Sequence, residues 1–235
     1  MNAAATTIAI TGATGFVGSH LLDQALAAGH PVRALTRRPQ PTRAGVTWIA
    51  GALDDNPALA RLVEGVTAVV HVAGVINAPD RAAFDRGNVA GTEAVLAAAR
   101  SAGVPRFVHV SSLAVREPQL SQYGGSKAAA EAVVRRGGVP HAIVRPPAIY
   151  GPRDREMLEL FRMAKRGIVL LPPAGRVSVI EVGDLCRLLL ALADRDAPVG
   201  AVYEPDDGVP GGWDHHDFAR VLGRAVGRRV LPVSM

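Results

Sequence analysis

Short apolar runs alternate with stretches of helical period along the first two thirds of this chain. Residues 7–10, 32–36, 46–50, 67–72, 106–110 and 139–144 read as strands, and their near-continuous apolar character suits a parallel sheet covered on both faces. Between the first two, Phe16, Val17, Leu21, Leu22, Ala25 and Leu26 recur at helical spacing up to Gly29. Asn56 and Pro57 predict the N-cap and first residue of a helix reaching Glu64. Residues 81–102 are mostly helical, interrupted at Asn88 and Gly91, and 122–136 form another helix. Pro146, Pro147 and Pro152 predict a rigid loop. This alternation predicts an α/β fold, a doubly wound parallel sheet over residues 1–150. Beyond it the elements shorten: a helix over 154–166, a strand over 177–180, a helix from Asp184, a strand over 201–203, a helix capped by Asp214 and a strand over 228–233. Residues 151–235 are therefore expected to form a small α+β lobe packed on the first.

Composition narrows the picture. Hydrophobic residues make up 49% of the 235, enough for a substantial core. No apolar run approaches the roughly 18 residues of a membrane helix, and no basic segment precedes the first strand, so neither a membrane partner nor a signal peptide is expected. Cys186 is the single cysteine, which excludes an internal disulfide and suits a reducing, cytoplasmic location; it reads as a small buried thiol. The net charge of +5 is spread along the chain and only 4% of residues are aromatic, so no nucleic-acid partner is expected.

Candidate chemistry begins at residues 11–18, TGATGFVG, between the first strand and the first helix. Gly12 suits a tight turn, Gly15 lets a pyrophosphate approach the backbone, and Gly18 lets helix and strand pack closely. Phosphate oxygens would then meet the unpaired N–H groups of the helix start, so Gly12, Thr14, Gly15, Phe16, Val17 and Gly18 are candidate dinucleotide contacts. The second strand ends in Thr36, Arg37 and Arg38, with no carboxylate for the ribose hydroxyls. An arginine there accommodates a 2′-phosphate, so NADP(H) is preferred with NAD(H) possible; Arg37 is favoured, with Arg38 and Arg33 as alternatives. Ala73 and Gly74 would let a cofactor lie against the fourth strand, and His71, with no carboxylate partner at useful spacing, reads as structural. Ser111 and Ser112 close the fifth strand. Tyr123 and Lys127 stack on one helix face four residues apart, where the ammonium would make the phenol a usable proton donor or acceptor and Ser112 would hold the substrate oxygen.

Together these segments resemble the extended branch of the short-chain dehydrogenase/reductase superfamily, which contains NAD-dependent epimerases and dehydratases. The resemblance rests on TGATGFVG at 11–18, HVAG at 71–74, NVAGT at 88–92, SS at 111–112, YGGSK at 123–127, RPPAIYGP at 145–152 and VIEVGDL at 179–185. It implies a Rossmann fold in which Ser112, Tyr123, Lys127 and Asn88 match the catalytic set, and Lys127 also meets the nicotinamide ribose. It further implies cofactor contacts from Leu53 and from Pro147, Ala148 and Ile149. Ala52 stands where the family often has aspartate, with Asp54 and Asp55 nearby, and Glu181 where a histidine is usual. The segment from Ser112 to Tyr123 is short, and extended members usually continue past a point equivalent to Met235, so a reduced substrate lobe is expected. The expected activity is hydride transfer between NADP(H) and a carbonyl or alcohol of a small molecule. A sugar-nucleotide epimerase or dehydratase and a non-catalytic NADP(H) sensor are the alternatives, and a homodimer over the helices around Asn88 and Lys127 is implied by analogy.

Overall fold

The computed structural model of the protein describes residues 6–171 and 175–234; Met235 lies outside them. In chain order the elements are β1 (Ile8–Thr11), α1 (Phe16–Ala27), β2 (Val32–Thr36), β3 (Val46–Ala50), α2 (Asn56–Val63), β4 (Ala68–His71) and α3 (Arg81–Phe84). A π-helical stretch, Asp85–Ala90, joins α3 to α4 (Gly91–Ser101), and β5 (Phe107–Val110) leads through the 3₁₀ turns Leu113–Arg116 and Pro118–Leu120 into α5 (Gln122–Arg136). There follow β6 (His141–Val144), β7 (Ala148–Tyr150), α6 (Glu156–Lys165), β8 (Ile168–Leu171), β9 (Arg176–Val177), β10 (Val179–Glu181), α7 (Val182–Leu192), β11 (Val202–Tyr203), β12 (Trp213–Asp214), α8 (His215–Ala225) and β13 (Leu231–Ser234).

The chain divides into two compact units. The first comprises the described part of Met1–Arg145 with Gly183–Glu204, the second Pro146–Val182 with the described part of Pro205–Met235. A single boundary at residue 150 does not describe this division, because α7 and β11 return to the first unit: β11 pairs in parallel with β6. Buried Arg106 holds that return. Its Nε donates to the Leu192 carbonyl at 2.6 Å, Nη1 to Ala197 at 3.1 Å and Nη2 to Pro198 at 2.9 Å.

The first unit is built on a seven-stranded sheet, ordered β11-β6-β5-β4-β1-β2-β3 and parallel throughout. Every residue of β1, β4 and β5 is buried, as a near-continuous apolar run in a covered parallel sheet demands. One face packs on α2, α4 and α5 through a core that includes Leu59, Leu62, Val95, Phe107, Val134 and Ile143. The chain reverses its direction of travel across the sheet beside β1, opening a crevice at the carboxyl ends of β1 and β4, where open α/β sheets take their ligands.

Two local details differ from expectation. The N-cap of α2 is Asp55, which accepts from the Ala58 N–H at 3.0 Å, and not Asn56. The segment read as a rigid loop after Pro147 contains β7, which pairs in parallel with β10; extended backbone suits the residues that follow two prolines. In the second unit β9 pairs with β12 and β8 with β13, and α6 and α8 pack around Ala164, Val169, Ala219 and Leu222.

Candidate active site

The turn from β1 to α1 is shaped by its glycines. Gly12 adopts φ +75°, and a Cβ there would meet the Ala73 nitrogen at 2.8 Å; a Cβ on Gly18 would lie 2.0 Å from the Gly12 carbonyl oxygen. Both positions exclude a side chain, so the turn, the start of α1 and the end of β4 lie close together. At Gly15 a Cβ would meet only the Gly12 oxygen, at 3.3 Å, and the backbone is otherwise open. Helix α1 begins at this open residue with no side-chain cap, whereas Asp55, Ser121 and Asp214 cap α2, α5 and α8. An uncapped helix start behind an open glycine fits a pyrophosphate, since its N–H groups and dipole both favour an anion. Beside it a cleft of about 390 Å³ is lined by Thr14, Ser19, Gln40, Arg43 and Trp48 among others.

At the end of β2 the Thr36 hydroxyl donates to the Arg38 carbonyl at 2.6 Å, closing a turn that leaves Arg37 and Arg38 exposed. Arg33 is occupied elsewhere. Its Nε donates to the Arg61 carbonyl at 3.0 Å and its Nη2 lies 3.6 Å from Glu64, which removes it as an alternative phosphate reader. Leu53 packs its side chain on Gly91 and the core, and Asp55 is spent on its cap.

A buried relay joins the ends of β1 and β4. The Thr92 hydroxyl donates to the Asn88 carbonyl at 2.6 Å and therefore accepts from His71 Nε2 at 3.0 Å. His71 Nδ1 in turn accepts from the Thr11 hydroxyl at 2.8 Å, and the Thr11 oxygen takes the Ala73 N–H at 3.2 Å. This arrangement requires a neutral imidazole. Burial, seconded by the Lys127 charge, pushes the His71 pKa down to about 3. His109 stacks on His71 with centroids 5.6 Å apart; burial first, then Lys127, holds it well below the ordinary histidine range. His71 is thus structural, as the sequence reading has it.

These two imidazoles make a pH prediction. Unfolded histidines take up protons below about pH 6.5, whereas the folded pair resists until far lower, so stability is complete above that value and drains as pH falls from about 6.5 towards 3. The expected loss is about 1.4 kcal/mol per histidine for each pH unit. Glu131 and Glu204 have lowered pKa values, so their contributions drain only below about pH 4.5 and leave the upper window to the histidines. Urea unfolding at pH 7.0 and 5.5 checks this; an equal midpoint at both would refute it.

The catalytic candidates converge on α5. A Cβ on Gly124 would collide with the Ala114 carbonyl at 2.8 Å, so α5 lies against the turn that follows Ser112. Ser112 caps that turn by accepting the Ala114 N–H at 3.2 Å, which leaves its own O–H proton for another acceptor. Half-buried Tyr123 sits in the first turn of α5, its ring 6.2 Å from that of Phe84. Buried Lys127, four residues on, donates from Nζ to the Val110 carbonyl at 2.7 Å. Burial pulls its pKa down to about 8, against the opposing pull of Glu131. Glu131, also buried, is held in turn by Arg145 at 2.8 and 2.7 Å.

Asn88 is placed differently from a substrate-facing catalytic group. Its Oδ1 accepts from the Val75 N–H at 2.6 Å, and its Nδ2 donates to the Val75 carbonyl and to Ser126 Oγ, each at 2.9 Å. These bonds tie the loop after β4 to α5, and a Cβ on Gly74 would lie 3.1 Å from Asn88 Oδ1 and 3.7 Å from Lys127 Nζ. Asn88 thus braces the loop after β4 against α5. Pro147, Ala148 and Ile149 belong to the second unit, where the last two open β7. That unit carries its own cleft of about 260 Å³, lined by Tyr150, Gly151, Asp154, Leu158 and Phe161. The sequence reading missed the Thr11–His71–Thr92 relay; Thr11 and Thr92 lie 60 and 21 residues from His71 and carry no spacing signal that marks them.

A doubly wound parallel sheet with a glycine turn at its switch point, and a tyrosine–lysine pair beside a strand-end serine, define a nicotinamide-dinucleotide-binding oxidoreductase. Residues 8–204 match the NAD dependent epimerase/dehydratase family, and the chain belongs to it. The chain is 41% identical over 228 residues to a ceramide reductase of Caulobacter vibrioides, covering 94% of this chain and 71% of that one. It is 33% identical over 228 residues to the 4-hydroxy-2-methyl-3-oxo-4-farnesyl-3,4-dihydroquinoline-1-oxide ketoreductase of Stigmatella aurantiaca, covering 86% and 68%. Among solved structures, MoeE5 in complex with UDP-glucose and NAD superposes with a TM-score of 0.83 at 26% identity, over 98% of this chain and 85% of that one. The protein is accordingly an NAD(P)-dependent enzyme of the extended short-chain dehydrogenase/reductase type.

Proposed function

We propose that this enzyme is an NADP(H)-preferring reductase of a ketone carried on a largely apolar small molecule. The observation that carries the reading is Lys127, buried against Val110 one helical turn behind Tyr123 with its pKa near 8. The bound cofactor supplies the hydride. Tyr123 gives its phenolic proton to the substrate oxygen as the carbonyl carbon becomes tetrahedral, and takes it back in the reverse direction. Ser112 donates its O–H to the same oxygen and fixes its position. Lys127, charged below about pH 8, favours the phenolate that proton transfer leaves behind.

An apolar substrate is supported by the names of the two relatives, a ceramide reductase and a farnesyl-bearing dihydroquinoline ketoreductase. The preference for NADP(H) is supported by the absence of a carboxylate at the end of β2 and by exposed Arg37 and Arg38, which form no ion pair among the described residues. Arg37→Asp is expected to shift the ratio of NADPH to NADH affinity by at least about tenfold towards NADH. Calorimetric titration with each cofactor reads it, and an unchanged ratio would move the role to Arg38. The single, buried Cys186 supports a reducing, cytoplasmic compartment, and the family resemblance supports a homodimer over α4 and α5.

The test is turnover of apolar ketones with NADPH, after checking the purified protein for retained cofactor. Stoichiometric consumption of NADPH supports the reductase. The likeness to MoeE5 with UDP-glucose and NAD favours a second reading, an epimerase or dehydratase; tightly retained NAD and turnover with no net consumption would establish it. Cofactor binding with no turnover would leave a sensor.

A further inference from the structure

The second unit gathers cations at one end. Helices α6 and α8 each run into one of two parallel strands, β8 and β13, whose pairing begins at Ile168 opposite Leu231. Because the strands start together, the C-terminal ends of both helices meet there: the Leu231 N–H donates to the Gly167 carbonyl at 2.8 Å, and a Cβ on Gly167 would lie 3.8 Å from the Arg229 carbonyl oxygen. Lys165 and Arg166 close α6, Arg224 lies in the last turn of α8, and Arg228 and Arg229 fill the approach to β13. All five are exposed, and among the described residues none forms an ion pair. The carboxylates of these helices lie in their first turns, where Glu159 pairs with Arg162 and Asp217 with Arg220.

Beside the cations lies an apolar strip. Ile168, Leu170 and Leu231 are 48%, 42% and 63% exposed, while Val169 between the first two is 1% exposed and belongs to the core. Strand alternation puts Ile168 and Leu170 on one face, and Leu231, opposite Ile168, joins them. Helix dipoles account for a lysine or arginine in a last turn. They do not account for Arg228 and Arg229 beyond the helix, nor for three large aliphatic side chains held in water beside them.

We propose that this end of the second unit docks on an anionic phospholipid surface, with Lys165, Arg166, Arg224, Arg228 and Arg229 over the headgroup phosphates and Ile168, Leu170 and Leu231 entering the headgroup–acyl boundary. Cations flanking exposed aliphatics are what such a surface takes. A second copy of the chain is disfavoured, because a two-fold contact would face five like charges with five more. Nucleic acid would use the cations and leave the aliphatic strip without a role. Among the described residues no helix is long and apolar enough to cross a membrane, and a surface contact needs none; the expectation of no membrane partner, drawn from run length, does not reach it. The inference stands independently of the proposed reaction.

The test is flotation of the full chain with vesicles of phosphatidylcholine alone and of phosphatidylcholine mixed with phosphatidylglycerol, at low and high salt. Binding to the mixed vesicles, weakened by salt, is expected. Each basic residue near an anionic surface strengthens binding about fivefold, so Arg166→Glu/Arg228→Glu/Arg229→Glu is expected to lose more than tenfold in partition, with its melting temperature and NADPH affinity kept. Arg229→Glu alone serves if the triple variant fails to fold, with about a fivefold loss expected. Ile168→Ser/Leu231→Ser should weaken binding at both salt concentrations. Absence of binding at low salt, or equal binding by the charge-reversed variants, would overturn the proposal. So would a concentration-dependent dimer abolished by Leu231→Ser, or a DNA fragment that strips the protein from the vesicles.

Discussion

Tyr123→Phe is expected to lower kcat about a thousandfold and to leave NADPH affinity within a few-fold of the parent, since a positioned proton donor contributes roughly 10²–10⁴ to such a step. The ring, which packs beside Phe84, is kept by the change, and an unchanged melting temperature checks that the fold is kept with it. Single-turnover measurement of NADPH oxidation separates this from a binding defect. The parent enzyme should lose kcat/KM as pH rises through about 8, where Lys127 sheds its proton and its charge no longer supports the phenolate. Turnover by Tyr123→Phe near the parent value would remove Tyr123 from the chemistry.

Asn88→Ala is expected to cost about 3 kcal/mol of stability. Three hydrogen bonds vanish, the one to Ser126 buried and the two to Val75 partly buried, and each is worth roughly 1 kcal/mol. For a chain of this length that corresponds to a melting temperature lower by roughly 10 °C. Because Asn88 also lies against Gly74, in the loop after β4, cofactor affinity should fall with it. A scanning melt with and without NADPH reads both effects. A melting temperature within 2–3 °C of the parent, roughly 1 kcal/mol on the same scale, would show that the clamp is not needed and return Asn88 to a direct role.

The sequence by itself determined what local pattern can hold. Apolar runs buried in a parallel sheet need no partner named in advance, so the strands from β1 to β6 fall within a residue or two of the expected ranges. The glycine turn is likewise local: Gly12 and Gly18 are required by contacts within the turn and with the adjoining strand. The Tyr123–Lys127 pair is fixed by helical period, and Ser112 by its place at a strand end. What tertiary structure decided depends on partners distant in the chain. Arg106 reaches residues 86 to 92 positions away, and nothing in its neighbourhood announces that it will be buried on three carbonyls. Arg33 is withdrawn from the phosphate by Arg61 and Glu64, on a neighbouring helix and the residue after it. Asn88 proves a clamp because the loop after β4 and the helix α5 close on it from 13 and 38 residues away. The return of β11 to the main sheet is decided in the same manner. A two-residue strand carries almost no propensity of its own, and pairing with β6 settles where it belongs.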